Sequence, residues 1–581
     1  MASCAIDSAR DTERLLDTLP PNALAEARRL EREGQPNAAA DAYLALAETT
    51  PAPARQQLQI EAAKARLQAG DGHRASRILL ELDQAALTAS QRQRALLLQA
   101  DVALSRGRAA EAIGALDRVD RGALPTRLKT HSLGSLATAY RLSNQPLRAA
   151  EQLDRLDRLL DTAAARLDNQ VSLLFTLTSL HQASLAQAAD TTTGRLRGWV
   201  ELAQLLAGKS TPSPALDARL RDWRRRTPNH PALARLEDTY FARLAGGYAP
   251  GAKALVLLPT GGHFGAAGTV LREGIMAAYA ADRSETRPAL SFRADGVALS
   301  SRDDLAGANL VIGPVQQASV TALARQGPQP VPTLALNRVS GATTANLFQF
   351  SLAPEDEAAN AANYAFTAGL KRAALVYPQS AWGTRMADAF RSQWRALGGT
   401  LSAQPSYGSV SEAANAVAHS DAQVVLLVAT TQNVAALWEA LRFTGVAIPV
   451  IATSHVYDGT FNPTQHLGLA GLYFVDIPWL LDQQRADRLS RQALRGTLSN
   501  VSGPLARLYA MGIDAYRLAP RIAEMGQQPG SFFAGETGGL SVDSRGQVRR
   551  QLTLARFTPS GVIAPAGIRG AAPPVSGASH P

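Results

Sequence analysis

The stretch KALVLLPTGGHFGAAGTVLREGIMAAYA, residues 253–280, decides the fold class of the second half of the chain. Residues 254–258 form a continuous apolar run, which is typical of a strand buried on both faces of a sheet. A glycine-rich turn follows, and the residues up to Tyr279 then show the spacing of a helix. This order predicts a strand, a tight turn and a helix, which together are the repeating unit of an α/β fold.

Apolar segments of strand length recur through the rest of this half, with helical patterns between them. We predict further strands at Ala289–Arg293, Asn309–Ile312, Pro332–Leu336, Ala373–Tyr377, Val424–Val428, Pro449–Ala452 and Leu472–Ile477. Helices at Trp382–Leu397 and Asn433–Arg442 belong to a second lobe that begins near Pro354. Strands that alternate with helices predict parallel sheets covered on both faces. Near the end, Gly539–Val542 and Gln551–Phe557 flank a turn and predict a hairpin.

The first half carries a repeat of 36 or 37 residues whose anchors are Gly34, Gly70, Gly107 and Asn144. Each anchor has an alanine seven residues before it, another five after it, a large side chain nine after it and Leu or Val twelve after it. These positions are Ala27, Ala63, Ala100 and Ala137; Ala39, Ala75, Ala112 and Ala149; Tyr43, Leu79, Leu116 and Leu153; and Leu46, Leu82, Val119 and Leu156. Gly or Asn can take the left-handed conformation that ends a helix, and the alanines let paired helices approach closely. The order is similar to the tetratricopeptide repeat, so we predict a TPR-like helical solenoid; a generic helical bundle is the alternative.

The composition indicates a globular protein with more than one core. At 581 residues the chain exceeds the usual size of one domain, and 46% of its residues are hydrophobic. The formal net charge is +10, but only five of the 59 basic residues are lysines and the arginines are dispersed. We therefore expect no nucleic-acid partner. The apolar runs are far shorter than the roughly 20 residues that a membrane span requires.

Sequence motifs of the common catalytic classes are missing, so we predict that the chain is not an enzyme. No serine lies three residues before any lysine, as the Ser-x-x-Lys motif of transpeptidases and β-lactamases requires. The nine histidines are scattered and there is one cysteine, so we expect neither a metal nor a cofactor. Gly208-Lys209-Ser210 ends like a phosphate-binding loop, but Ala203 stands in place of its first glycine. The acidic run Glu355-Asp356-Glu357 is interpreted as the first turn of a helix.

Cys4 is the only cysteine and lies in Met1-Ala2-Ser3-Cys4-Ala5. Ala-Ser-Cys is typical of the end of a lipoprotein signal, where small residues precede a cysteine that is diacylated after cleavage. We predict a lipid anchor at Cys4, with a chance cysteine near the terminus as the alternative. An aspartate after the cysteine commonly retains such proteins at the inner membrane. Because Ala5 stands there, we predict the periplasmic side of the outer membrane.

Small or polar residues follow several predicted strands and are candidates for one cleft between the two lobes. Open parallel sheets place ligands at the carboxyl ends of their strands, and a glycine-rich turn before a helix can hold an anion. The candidates are Gly261, Gly262, His263, Gly313, Asn337, Tyr377, Ser380, Trp382 and Ser454. The alternative is that they are turn and capping residues around a vestigial cleft.

Several segments resemble known families. Residues 253–279, Val311–Val315 and Pro332–Asn337 are similar to the first strand–helix junctions of a type I periplasmic-binding domain. More specific segments are Phe350–Ala358, Asp476–Trp479, Gly512–Ala519 and Thr537–Leu540. Together with the repeats and Cys4, they resemble the LppC family of outer-membrane lipoproteins over nearly the whole chain.

The patterns and the resemblance agree on the fold class, a TPR-like helical solenoid followed by a two-lobed type I periplasmic-binding-like α/β domain. The predicted segments are a lipidated N-terminus (1–21), the repeat domain (22–245), a linker (246–251), the α/β domain (252–570) and a disordered tail (571–581). The resemblance implies that the chain binds and activates a bifunctional class A penicillin-binding protein and stimulates peptidoglycan synthesis, with peptidoglycan as a further partner. A solute-binding protein that uses the cleft and an enzyme are the alternatives. The family's docking surface has no short motif that can be matched here.

Overall fold

The chain divides into two compact units in a computed structural model that describes residues 15–16, 19–20, 22–296, 305, 307–339, 344–460, 462–482, 487–498, 502–503, 505–563 and 568. Unit 1 comprises Met1–Leu352, Ala486–Ser499 and Leu508–Arg550. Unit 2 comprises Ala353–Arg485, Asn500–Arg507 and Gln551–Pro581, and so begins beside the predicted start of the second lobe. Cys4 and the predicted tail lie outside the described residues, and the predicted segment boundaries stay predictions.

Residues 22–245 of unit 1 are helical, as the repeat pattern predicts. The helices are α1 (Ala25–Arg32), α2 (Pro36–Thr49), α3 (Ala54–Gln68), α4 (Gly72–Leu80), α5 (Ala89–Ser105), α6 (Ala109–Asp117), α7 (Thr126–Leu142), α8 (Pro146–Asp157), α9 (Ala163–Thr178), α10 (Gln182–Thr191), α11 (Gly194–Leu206), α12 (Pro214–Arg226) and α13 (Leu236–Ala245). In the pairs α1–α2, α3–α4, α5–α6 and α7–α8, the first helix ends two residues before an anchor and the second begins two residues after it. The predicted register is therefore confirmed.

The four anchors adopt the left-handed conformation that ends the first helix of each pair. The φ angle is +72° at Gly34, +79° at Gly70, +71° at Gly107 and +55° at Asn144. The N–H of the residue after each anchor donates to the carbonyl five residues before it, at 2.7 to 2.9 Å. This is the hydrogen bond of a Schellman helix end, which satisfies a carbonyl that the helix leaves free. The eight repeated alanines are buried, so each helix packs closely on its partner.

The α/β part of unit 1 contains a parallel sheet with the strand order β2-β1-β3-β4-β5. Its elements are β1 (Lys253–Leu258), α14 (Gly265–Ala281), β2 (Ala289–Ala294), β3 (Leu310–Ile312), α15 (Gln317–Gln326), β4 (Thr333–Ala335) and β5 (Leu347–Gln349). The core strand β1 is buried from Ala254 onward, which confirms the strand, turn and helix predicted from residues 253–280.

Unit 1 ends with short helices and a small sheet in the order β12-β13-β14. Its elements are α22 (Arg491–Leu494), α23 (Ala506–Leu518, of which the residues from Leu508 belong to unit 1), α24 (Ile522–Gln527), β12 (Phe533–Gly535), β13 (Gly538–Val542) and β14 (Val548–Gln551). The prediction that Gln551–Phe557 forms the second hairpin strand is wrong, because β13 pairs with β14. Buried and less buried residues alternate through β14 and on into Thr553–Thr558. Such alternation indicates which face of a strand is buried, but it does not identify the strand with which it pairs.

Unit 2 contains a sheet in the order β16-β15-β11-β10-β9-β6-β7, with β8 beside β6. Its elements are α16 (Pro354–Thr367), β6 (Arg372–Pro378), α17 (Ala381–Ala396), β7 (Thr400–Ala403), β8 (Ser406–Tyr407), α18 (Val410–Ala418), β9 (Val424–Leu427), α19 (Val434–Phe443), β10 (Val450–Ala452), α20 (Pro463–Gly468), β11 (Tyr473–Asp476), α21 (Pro478–Leu481), β15 (Thr553–Thr558) and β16 (Gly561–Ile563). Strands β6 to β11 run parallel, and β15 and β16 are antiparallel. Among the described residues, no helix combines the length and the hydropathy that a membrane crossing demands.

Candidate functional site

The predicted site residues of the glycine-rich turn lie between β1 and α14. Gly261, Gly262 and His263 are all exposed, and Gly262 has a φ of +65°. The His263 ring lies edge-on to Phe264, with 5.1 Å between the ring centroids. The turn therefore needs its second glycine for its backbone conformation. A ligand-binding role for these residues stays a prediction.

Gly313 and Asn337 follow β3 and β4 at the same edge of the unit 1 sheet. Gly313 has a φ of +103°, and a Cβ atom there would collide with the carbonyl oxygen of Leu257. The side-chain amide of Asn337 donates to the carbonyl oxygen of Val315 at 2.7 Å. The Asp295 carboxylate accepts from the Val315 N–H at 2.8 Å. These bonds join the loops that follow three strands, and a ligand-binding role for Gly313 and Asn337 stays a prediction.

Tyr377, Ser380 and Trp382 lie where β6 leads into α17 in unit 2. The Ser380 hydroxyl accepts from the backbone N–H of Gly383 at 3.0 Å and so caps α17. The Tyr377 hydroxyl accepts from Arg391 at 3.0 Å. Trp382 is half-buried, and its ring lies 5.0 Å from that of His455. Of these three predicted residues, Trp382 is the one that reaches the cluster around Ser454.

Ser454 lies after β10 and is held by a buried carboxylate from α16. Glu357 accepts the Ser454 hydroxyl at 2.8 Å and the Ser454 N–H at 2.9 Å. The other side of the carboxylate faces His455, whose Nδ1 lies 3.5 Å from Glu357 Oε2. Glu357 lies in the first turn of α16, as predicted, but it also turns inward to fix the loop after β10. Because the Ser454 hydroxyl donates to a carboxylate and not to an imidazole, the group differs from a serine–histidine catalytic pair.

A buried ion pair between Arg507 and Asp476 holds the loop of Ser454, and this pair was not predicted from the sequence. Arg507 donates to Asp476 through Nε at 2.9 Å and through Nη2 at 2.5 Å. Its Nη2 also donates to the carbonyl oxygens of Ser454 and Tyr457, at 3.1 and 2.9 Å. Burial raises the pKa of Asp476, and Arg507 opposes that rise. We name Glu357, Ser454, Asp476 and Arg507 the polar cluster. Ser454 was a predicted cleft residue, and Glu357 and Asp476 lie in segments that carry the family resemblance, whereas Arg507 had no signal in the sequence.

Two other segments that carry the family resemblance meet in unit 1. The Asp514 carboxylate accepts from the backbone N–H groups of Glu536 and Thr537, both at 2.7 Å, and from the Thr537 hydroxyl at 2.6 Å. Burial, with the charge of Glu536 beside it, raises the pKa of Asp514 to about 7. A Cβ atom at Gly512 would collide with the carbonyl oxygen of Leu271 on α14. These motif residues thus have structural roles in joining α23, α14 and the small sheet.

The candidate residues therefore form separate groups within each unit. In unit 2, the His455 ring links Trp382 to the polar cluster. In unit 1, Gly313 and Asn337 belong to one loop network, and the glycine-rich turn forms a second group. The prediction of a single cleft site stays a prediction.

Comparisons with known proteins identify relatives along nearly the whole chain. A family model described as LppC putative lipoprotein matches residues 33–420 and 408–560. The penicillin-binding protein activator LpoA of Pectobacterium parmentieri is 26% identical over 637 residues, which cover 91% of this chain and 93% of the relative. The protein of the same name from Photobacterium profundum is 26% identical over 572 residues and covers 90% of each chain.

A solved structure of Haemophilus influenzae LpoA, in a monoclinic crystal form, is 23% identical and has a TM-score of 0.48, covering 90% of this chain and 97% of that one. The family model alone spans far more than half of the chain, and it includes all four repeat anchors, the polar cluster and the small sheet. The chain therefore belongs to the LppC family of putative lipoproteins.

Proposed function

We propose that this chain is an outer-membrane lipoprotein that binds and activates a class A penicillin-binding protein, and so stimulates peptidoglycan synthesis. The observation that carries the proposal is the LppC match, together with relatives named penicillin-binding protein activator LpoA that align over about nine-tenths of both chains. Cys4 supplies the lipid anchor, and Ala5 after it favours the outer membrane. The proposed mechanism is allosteric. The chain binds the active state of the synthase more strongly than the inactive state, and binding therefore raises the population of the active state.

The hydrogen bonds of the polar cluster support a role without catalysis. In the polar cluster, the Ser454 hydroxyl donates its hydrogen bond to Glu357, and the Asp476 carboxylate accepts from Arg507. We infer that the chain acts on the synthase through its surface.

The proposal is tested by adding the Cys4→Ser chain, which cannot be lipidated, to a purified class A penicillin-binding protein with lipid-linked disaccharide-pentapeptide. We expect a several-fold rise in glycan polymerisation, in peptide cross-linking or in both. The same chain without the synthase controls for activity of its own, and a heat-unfolded sample controls for crowding. An unchanged synthase rate at saturating chain would refute the proposal, and products formed by the chain alone would revive the enzyme alternative.

The anchor and the envelope location need an experiment of their own. Labelling cells with a palmitate analogue should mark the protein at Cys4, and Cys4→Ser should abolish the label. Fractionation of the envelope should place the labelled protein with the outer membrane. Pull-down on purified sacculi tests peptidoglycan as a direct partner, and recovery of label with the inner membrane would contradict the proposed location.

The polar cluster favours one second candidate function, solute binding. The Trp382 ring lies against His455, whose imidazole lies beside the Glu357 carboxylate, and such a mixture of apolar and polar groups suits a small polar ligand. Thermal-shift measurements with amino acids and muropeptides test it. A large shift with one compound, lost in Trp382→Ala, would favour this function over the proposed one.

A further inference from the structure

Phe443, the last residue of α19, is the most exposed large hydrophobic side chain among the described residues. Its exposed fraction is 92%, whereas Leu80 of α4 reaches 78% and Leu467 of α20 reaches 60%. The inner face of α19 is buried through residues such as Leu437 and Leu441, so the packing of the helix does not require Phe443. A single exposed hydrophobic residue needs no explanation, but a group of them on one surface indicates an interaction site.

The sheet topology brings Leu467 to the same end of unit 2 as Phe443. Because β9, β10 and β11 are parallel neighbours, α19 and α20 connect successive strands in the same direction across the sheet. Right-handed crossovers then place both helices on one face of the sheet, where they contact each other. Each helix ends shortly before the next strand begins, so both residues lie at the amino edge of the sheet. The Ser454 loop follows β10 and lies at the opposite edge.

The connections after the two helices add uncharged surface at this edge. Residues 444–449, between α19 and β10, contain no charged side chain; Ala447 is exposed and Val446 is half-buried. Residues 469–472, between α20 and β11, are also uncharged. We name Phe443, Val446, Ala447 and Leu467 the amino-edge patch.

Two charged side chains of opposite sign flank the amino-edge patch on α19. Glu439 and Arg442 are both exposed, and Glu439 precedes Phe443 by four residues and so shares its face of the helix. Neither side chain forms an ion pair with another residue that the structure describes. An acid and a base without partners, beside an apolar surface, are complementary to an apolar pocket with charges at its rim.

The size of the amino-edge patch argues against a second copy of the chain as its occupant. One aromatic side chain buries about 150–250 Å², so Phe443 and Leu467 together offer on the order of 300 Å². A stable interface buries about 800 Å² on each side. The patch has instead the features of a hot spot, in which an aromatic side chain enters a pocket of a different protein and polar contacts surround it.

We propose that the amino-edge patch is the surface through which the chain docks on the class A penicillin-binding protein. Phe443 enters an apolar pocket of the synthase, and Glu439 and Arg442 pair with charges at the rim of that pocket. This inference rests on the proposed function and names the contact surface for it. Docking at the amino edge leaves the Ser454 loop outside the interface.

The test measures binding of the Cys4→Ser chain to the purified synthase on a biosensor surface, together with glycan polymerisation. Phe443→Ala should weaken binding by about tenfold or more, and Leu467→Ala in the same chain should weaken it further. Arg442→Glu should slow association and reduce its dependence on salt. Leu80→Ala, which removes a comparably exposed side chain from α4, is the matched control and should bind like the wild type. Denaturant midpoints should stay close to the wild-type value, because the altered side chains are exposed.

A photo-crosslinker gives a second measurement. Phe443→p-benzoylphenylalanine should form a covalent link to the synthase on irradiation, and Leu80→p-benzoylphenylalanine should not. If the wild type binds and stimulates the synthase but the Phe443→Ala, Leu467→Ala chain binds within about twofold of it, the amino-edge patch is overturned and the proposed function stands. A wild-type chain that neither binds nor stimulates would overturn both. Self-association in light scattering that Phe443→Ala abolishes, with synthase binding unchanged, would assign the patch to a second copy and overturn the proposal.

Discussion

The repeat array of unit 1 and the polar cluster of unit 2 differ in the distance over which their residues act. Each repeat anchor works locally, because Gly34 or Asn144 ends a helix through its own φ angle and the bonds of its neighbours. In the polar cluster, Ser454 is held by Glu357, 97 residues earlier, and by Arg507, 53 residues later. A residue type can indicate the backbone conformation at its own position, but it does not identify the distant residue with which its side chain will form a hydrogen bond.

Removal of Arg507 is expected to have the largest effect on stability. Arg507→Ala leaves Asp476 buried without its cation and takes a donor from the Ser454 and Tyr457 carbonyls. Loss of one partner of a buried pair costs about 3–5 kcal/mol, so we expect the unfolding transition of unit 2 to move to much lower denaturant. Arg385→Ala, which breaks the exposed pair with Glu355, is the matched control and should cost about 1 kcal/mol or less. Equal shifts for both variants would show that the cluster does not stabilise unit 2.

Two glycines inside helices of the repeat array differ in whether a distant part of the chain packs against them. Gly134→Ala places a methyl group against the Pro529 carbonyl, so we expect a loss of about 1–3 kcal/mol in the free energy of unfolding. Gly114→Ala in α6 meets nothing within 4 Å and should stabilise by up to about 1 kcal/mol. Denaturant midpoints of the two variants supply the measurement. A stabilising Gly134→Ala would mean that the backbone at Pro529 moves away from the methyl group at little cost.

Much of the fold was predictable because its signals are local. The apolar run of β1 and the spacing of the anchors each state a backbone requirement within a few residues. The strand Leu347–Gln349 and the helix Gln182–Thr191 were missed, because three residues are too few for a period and the helix is rich in alanine on all sides. The hairpin was misassigned because β14 and β15 are separated by Leu552 alone and share one alternating pattern.

The candidate site was predicted less completely, for a physical reason. Strand ends at a sheet edge are visible as polar residues after apolar runs, and this located Ser454 and Trp382. The pairing of Asp476 with Arg507 depends on where α23 packs, which no short pattern encodes. Glu357 was visible as a residue of a helix N-terminus, and its inward contact was not.

Substitution of a single repeat anchor is expected to have a smaller effect on stability. Gly107→Ala forces a Cβ atom into the left-handed region at a φ of +71°, where the surrounding space is open. We expect a loss of about 1–2 kcal/mol, which reflects backbone strain and not a clash. Gly107→Asn should cost less, because asparagine tolerates this conformation and Asn144 holds the same position in the fourth repeat. Equal losses for Ala and Asn, read from thermal unfolding, would mean that the anchor is not limited by φ.

The smallest expected effect depends on pH and concerns the contact between α5 and α7. His131 Nε2 lies 2.8 Å from the Asp101 carboxylate, and the charge of Asp101 raises the pKa of His131. Because the folded pKa lies above the unfolded value of about 6.5, the pair contributes its full stability below that pH. The contribution is lost as the pH rises through the folded pKa.

We therefore expect the denaturant midpoint of the wild type to exceed that of His131→Gln at about pH 5.5, with the difference shrinking toward about pH 8.5. The effect should stay below about 1 kcal/mol, since both side chains are partly solvated. His419→Gln, which removes an exposed ring bonded to the Asn415 carbonyl, is the matched control. A difference between wild type and His131→Gln that is constant over this range, or that grows with pH, would show that the Asp101 contact acts by packing and not by charge.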